Sequence, residues 1–203
     1  MTVLDDLAQQ RVVPVLRCSD ADDAVATARA AAAGGFGIVE LTMTTPGVLE
    51  AADTLAGDGI AFGVGTVRAA ADVVPAAEAG ARFVVSFWNP PGFVAAARQA
   101  GVPAIPGGLT PSELGAAQDE GADALKLFPA ASVGPEYLRM LQPVLGPVGL
   151  VATGGIEGTA EAIRPWLEAG ALAVAIGGAL GTARSVGAAE VERRCDVLAR
   201  ELD

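Results

Sequence analysis

The chain has 203 residues, 52% of them hydrophobic and 26 of them glycine, with a formal net charge of -11. Its 13 Lys and Arg are scattered among 24 Asp and Glu, so no basic stripe exists to meet a nucleic-acid backbone, and no nucleic-acid partner is expected. The absence of histidine removes every mechanism that needs an imidazole base or ligand.

The first ten residues carry Asp5 and Asp6, lack the positive and apolar regions of a signal peptide, and read as a short N-terminal helix. From there short apolar runs alternate with alanine-rich amphipathic segments. In chain order the pattern predicts strand 12–17, helix 20–33, strand 37–42, helix 46–56, strand 61–66, helix 69–79, strand 82–86, helix 91–100, strand 102–106 and helix 111–120. It continues with strand 124–128, helix 135–145, strand 148–153, helix 159–169, strand 171–177 and a last helix 188–202. Pro46, Pro91, Pro111 and Pro135 stand near helix starts, and Gly35, Gly80, Gly101, Gly121 and Gly170 near helix ends. Eight roughly equal units with no linker between them point to α/β architecture, a (β/α)8 TIM barrel forming one domain over residues 1–203. An open doubly wound sheet would use the same alternation and stays open as an alternative. No stretch approaches about 20 uninterrupted apolar residues, so no membrane span is expected and the cytoplasm is the expected location. Cys18 and Cys195 show no metal-ligand spacing and read as free thiols, and neither a metal nor another cofactor is expected.

Chemistry in a barrel collects at the C-terminal ends of the strands. The sixth run holds a lone cation, Lys126, between Leu125 and Leu127 and ahead of Phe128 and Pro129. If Lys126 faces the interior, burial disfavours the ammonium relative to the free amine, and a free amine attacks a carbonyl carbon. The competing reading is a structural lysine paired with a carboxylate or reaching the rim. Glu40 and Thr42 are two apart on the second run and share a face, with Val39 and Leu41 on the other. An inward Glu40 near Lys126 could move protons during imine chemistry, or could form a structural ion pair with it. Arg17, ending the first run, suits a carboxylate or phosphate, its alternative being a rim salt bridge. Thr66 and Thr153 offer hydroxyls, Pro106-Gly107 ends the fifth run, and Gly154-Gly155 and Gly177-Gly178 follow the seventh and eighth, where barrels commonly bind phosphate through backbone amides.

Val13-Pro14-Val15-Leu16-Arg17, Val39-Glu40-Leu41-Thr42, Gly63-Val64-Gly65-Thr66-Val67, Ile105-Pro106-Gly107, Leu125-Lys126-Leu127-Phe128-Pro129-Ala130, Thr153-Gly154-Gly155-Ile156 and Ile176-Gly177-Gly178 run nearly end to end. With these segments the chain resembles the aldolase family that includes 2-keto-3-deoxy-6-phosphogluconate (KDPG), 2-keto-3-deoxy-6-phosphogalactonate (KDPGal) and 4-hydroxy-2-oxoglutarate (KHG) aldolases. The resemblance implies a metal-independent class I aldolase, usually a homotrimer, that cleaves a 2-keto-3-deoxy acid, with or without a 6-phosphate, to pyruvate and an aldehyde. It implies Lys126 as Schiff-base former and Glu40 as general acid and base. Thr66 and Pro106-Gly107 would serve the pyruvyl end with Arg17 nearby, Gly154, Gly155, Gly177 and Gly178 would face the distal end, and Thr42 and Thr153 would be further substrate contacts.

Three positions depart from the family pattern. Thr44 stands where KDPG aldolases have an arginine, Ser86-Phe87-Trp88 where the family commonly reads Ser-Pro-Gly, and Ala179 where a serine often follows the last glycine pair. Loss of an arginine and a hydroxyl weakens the hold on a phosphate and leaves both a phosphorylated and an unphosphorylated aldehyde half open. Trp88 would add a flat apolar surface at the rim, pack on a helix, or meet another subunit. Two other functions remain compatible: a Schiff-base decarboxylase of a 2-keto diacid, and a non-catalytic barrel that binds a sugar acid or phosphate.

Overall fold

The computed structural model describes residues 2–202. Helix α1 (Val3–Gln10) opens with a capping box in which the Thr2 hydroxyl accepts from the Asp5 N–H and the Asp5 carboxylate accepts from the Thr2 N–H. The strands follow as β1 (Val12–Leu16), β2 (Ile38–Thr42), β3 (Ala61–Gly65), β4 (Val84–Val85), β5 (Ala104–Ile105), β6 (Gly107–Gly108), β7 (Ala124–Leu127), β8 (Gly149–Thr153) and β9 (Ala173–Gly177). All pair in parallel, in the order β5-β4-β3-β2-β1-β9-β8-β7-β6, so the two ends of the sheet are the two halves of one run of chain.

That division makes a barrel and overturns the open doubly wound alternative. Pro106, with no N–H to give a ladder, separates β5 from β6. On one side β5 pairs with β4 through Val84↔Ala104 and Val85↔Ile105; on the other, β6 pairs with β7 through Gly107↔Lys126. The carbonyls of Ala104 and Pro106 accept from Asp123 N–H at 3.1 Å and Lys126 N–H at 2.8 Å, closing the seam.

The period of two sorts the strand residues into two cores. Val13, Ile38, Phe83, Val85, Ile105, Ala124, Val151, Ala173 and Ala175 fill the barrel interior together with Val3 and Leu7 of α1, which plug its lower end. Their neighbours Val12, Val39, Leu41, Val64, Val84, Leu125, Leu127 and Ala152 face outward into a second layer beneath the helices. Gly63 makes room for the Phe83 ring, which a Cβ at that position would overlap.

Helices α2 (Ala21–Ala33), α3 (Val48–Gly57), α4 (Val73–Glu78), α5 (Phe93–Ala100), α6 (Pro111–Asp119), α7 (Pro135–Leu145), α8 (Ala160–Glu168), α9 (Ala183–Val186) and α10 (Ala188–Leu202) complete the units. Pro111 and Pro135 occupy the first helical turn as expected. Pro46 and Pro91 do not: each is followed by a left-handed glycine, Gly47 or Gly92, which delays the start of α3 and α5. The helix predicted over 69–79 breaks into a 3-10 turn, Ala70–Asp72, and α4. The fourth strand shrinks to two residues; just past it the Ser86 N–H still donates to the Ile105 carbonyl at 3.1 Å, while its hydroxyl donates to the Val67 carbonyl at 2.7 Å. The short helix α9 had no apolar period to announce it; the Thr182–Ser185 capping box holds it.

Burial pushes the Cys18 and Cys195 thiols up to about 11. At pH 8 both should therefore resist a thiol-specific reagent in the native protein and react together on unfolding. Rapid native reaction of either would show that its element opens locally. Because the unfolded thiols ionise near 9 and the folded ones near 11, this contribution to stability is complete below pH 9 and fades above it.

Candidate active site

Lys126 and Glu40 follow the inward positions Ala124 and Ile38 on their strands. Both are buried, at 4% and 2% exposure, and Lys126 Nζ lies 3.6 Å from Glu40 Oε1. Among the described residues Oε1 receives no hydrogen bond. A buried ion pair kept for stability needs tight hydrogen bonds to offset desolvation, which costs on the order of several kcal/mol per ion. This pair stands apart instead, beneath a cavity of about 700 Å3 at the C-terminal end of the barrel. Lys126 is also the chain's sole lysine.

Gly65 gives Glu40 its place, since a Cβ there would overlap Glu40 Oε1. Gly65→Ala is expected to displace the carboxylate and lower kcat by at least about 10-fold, with pyruvate affinity less affected. Unchanged kcat would show that the carboxylate position tolerates movement.

Nine of the residues singled out in the sequence meet on the cavity wall: Lys126, Glu40, Arg17, Thr66, Thr153, Gly154, Gly155, Gly177 and Gly178. Thr66 sits at φ +58°, a conformation that strains a β-branched residue by about 1–3 kcal/mol. The flanking bond from Val67 N–H to the Val85 carbonyl, 3.1 Å, holds that turn. Thr153 Oγ1 is buried on the wall with no hydrogen-bond partner among the described residues, a polar atom left for a ligand to meet. Gly154 fits against the Phe128 ring, where a Cβ would come within 2.9 Å.

Three other expected residues lie elsewhere. Thr42 shares the face of Glu40, but its hydroxyl donates to the Leu16 carbonyl at 3.1 Å and ties β2 to β1. Pro106 and Gly107 lie behind the wall and fix the Lys126 strand through the ladder. Gly107 is pressed so closely on the Phe87 backbone that a Cβ would overlap it.

The wall also holds residues that the sequence reading did not assign to it as ligand contacts, notably Thr44, Arg68, Phe87 and Phe128. Phe87 and Phe128 meet edge to face with centroids 6.3 Å apart and form an apolar side. Trp88, 44% exposed and 6.5 Å from the Phe87 ring, stands outside the wall. Arg68 follows β3 and the left-handed Thr66, beyond the reach of strand alternation, so the sequence period carried no signal for it.

The family described as KDPG and KHG aldolase matches residues 3–196. The chain belongs to the KDPG and KHG aldolase family. It is 30% identical over 170 residues to the 2-dehydro-3-deoxy-6-phosphogalactonate aldolase of Escherichia coli strain K12, covering 82% of each chain. To the 2-dehydro-3-deoxy-phosphogluconate aldolase of Treponema pallidum strain Nichols it is 35% identical over 160 residues, 77% of this chain and 76% of the relative. Among solved structures, the KDPG aldolase of Legionella pneumophila superposes with a TM-score of 0.87 at 26% identity, covering 98% of both chains. That enzyme was solved with pyruvate captured at low pH as a covalent carbinolamine intermediate. Within this KDPG and KHG aldolase barrel, no described group of three or more Cys, Asp or Glu is placed to hold a metal ion, and no described helix is long and apolar enough to cross a membrane.

Proposed function

We propose that the protein is a class I aldolase that cleaves a 2-keto-3-deoxy acid to pyruvate and an aldehyde through a Schiff base on Lys126. The observation that carries the reading is the buried amine of Lys126, 3.6 Å from a carboxylate oxygen without a hydrogen-bond partner, under an open cavity. The free amine of Lys126 attacks the keto carbon to give a carbinolamine. Glu40 in its acid form protonates the departing hydroxyl, and water leaves as the iminium forms. The Glu40 carboxylate then takes the proton of the C4 hydroxyl; the C3–C4 bond breaks, its electrons pass to C3 as the enamine forms, and the aldehyde is released. A proton from Glu40 returns to C3, and water hydrolyses the iminium to pyruvate and free Lys126. Low exposure at Lys126 and Glu40 limits stray hydrolysis of the enamine.

Thr66 and Thr153 supply hydroxyls beside the pyruvyl half, while Gly154, Gly155, Gly177 and Gly178 let the backbone approach the far half. Thr42, Pro106 and Gly107 act in this reading by positioning strands. The chain works as a single domain in the cytoplasm and as a homotrimer, which the exposed Met140 and Val144 one turn apart on α7 would suit as contact residues.

Borohydride reduction in the presence of pyruvate, followed by peptide mass mapping, tests the proposal. The expected product is a reduced pyruvyl adduct on Lys126; absence of adduct in folded protein would return Lys126 to a structural role and favour a binding barrel. Assays for pyruvate release from oxaloacetate and from 4-hydroxy-2-oxoglutarate separate decarboxylation from aldol cleavage.

A further inference from the structure

Asp23, in the first turn of α2, is a buried carboxylate that the proposed mechanism does not use; it is 4% exposed. A carboxylate in such a place needs hydrogen-bond donors, and its donors are backbone amides and hydroxyls. Oδ2 accepts from the Ser19 N–H at 3.1 Å and the Ser19 hydroxyl at 3.2 Å, and Oδ1 from the Arg184 N–H at 2.8 Å. Burial pushes the Asp23 carboxyl up, but the Ser19 and Arg184 amides outweigh it and hold the group below the usual carboxylate range, so it stays an ionised acceptor.

The two sets of donors belong to different loops. Ser19 comes two residues after Arg17, and Arg184 lies in α9, six residues after Gly178; Arg17, Gly177 and Gly178 all line the cavity. One turn along α2, the fully buried Thr27 adds a second tie, its hydroxyl oxygen accepting from the Ala183 N–H at 2.8 Å. The turn between Gly178 and α9 is closed by Gly181 N–H on the Gly178 carbonyl at 3.1 Å, so a tie made at α9 is passed back to Gly178. Asp23 thus bridges the loop after β1 to the loop after β9.

We propose that Asp23, with Thr27, is a positioning residue for substrate binding, holding the Arg17 and Gly177-Gly178 sides of the cavity at a fixed separation. The inference rests on the aldolase reading above. Neither residue lines the cavity, so each acts through the loops it holds. Lys126 and Glu40 owe their places to other contacts: the ladder with Gly107 for the one, and the space left by Gly65 for the other. Breaking the bridge therefore loosens the walls that bind substrate and leaves the reacting groups where they are.

Steady-state kinetics of pyruvate release from 2-keto-3-deoxy-6-phosphogluconate and from 4-hydroxy-2-oxoglutarate test this in the native enzyme, Asp23→Asn and Thr27→Val. An asparagine oxygen can still meet one loop, but its NH2 then faces an N–H of the other. On the better substrate KM is expected to rise about 10-fold in Asp23→Asn with kcat within about 3-fold of native, the scale of one lost hydrogen bond to a charged group and the signature of lost binding. Thr27→Val should raise KM about 3-fold or more, and Thr27→Ser, which keeps the hydroxyl, should restore the native value. Unchanged KM in both variants, or a lower kcat at unchanged KM as partial misfolding gives, would overturn the proposal. If Asp23→Asn does not fold, Thr27→Val measured against Thr27→Ser decides alone. A native enzyme that neither releases pyruvate from these acids nor is trapped by borohydride with pyruvate would sink the aldolase reading, and this inference with it.

Discussion

Replacing Lys126 with methionine should abolish both pyruvate trapping and carbon–carbon cleavage, with kcat falling on the order of 10^4-fold or more, as deletion of a covalent nucleophile does elsewhere. Methionine keeps much of the side-chain volume but leaves Glu40 facing no cation in a buried site. A Lys126→Met, Glu40→Gln double variant removes both charges, so lost turnover can be read in a protein without an orphan carboxylate. Circular dichroism and thermal unfolding establish that the fold persists. The structural reading of the pair predicts the reverse: substantial turnover in whatever fraction of single variant folds. Activity within 10-fold of native would exclude a Schiff base at this position.

Glu40→Gln separates proton transfer from binding. Glutamine preserves the shape beside Gly65 and the cavity wall but can neither take the C4 hydroxyl proton nor return one to C3. Turnover should drop about 10^2- to 10^4-fold, the range for loss of a positioned general acid and base, while pyruvate affinity measured by calorimetry stays within a few-fold. Unchanged turnover would remove Glu40 from the mechanism. A matched loss of pyruvate binding would make it a contact residue.

Much of this was legible in the chain because a parallel barrel writes itself as alternation. Burial on both faces gives apolar runs, and the period of two correctly separated Glu40 from Val39 and Leu41. Glycines at the predicted helix ends, Gly35, Gly80, Gly101, Gly121 and Gly170, all adopt positive φ. Alternation, however, gives direction without depth. Thr42 points the same way as Glu40 and still spends its hydroxyl on a neighbouring strand. Nor does alternation foresee a change of partner within one run: Pro106 read as the end of a strand, whereas it is the hinge between two ladders. Arg68 lies past β3, where strand periodicity has ended and only the three-dimensional cavity relates it to Arg17.

The sole lysine has a practical consequence for anyone handling the protein. Reagents that acylate or reductively alkylate ε-amines have a single target in the whole chain, and it is buried on the cavity wall. Coupling the enzyme to a resin or a dye through lysine would consume the amine proposed to form the Schiff base, so attachment through carboxylates is the safer chemistry. The same fact turns incorporation of a small carbonyl label into a stoichiometric count of competent sites, with no background from other lysines.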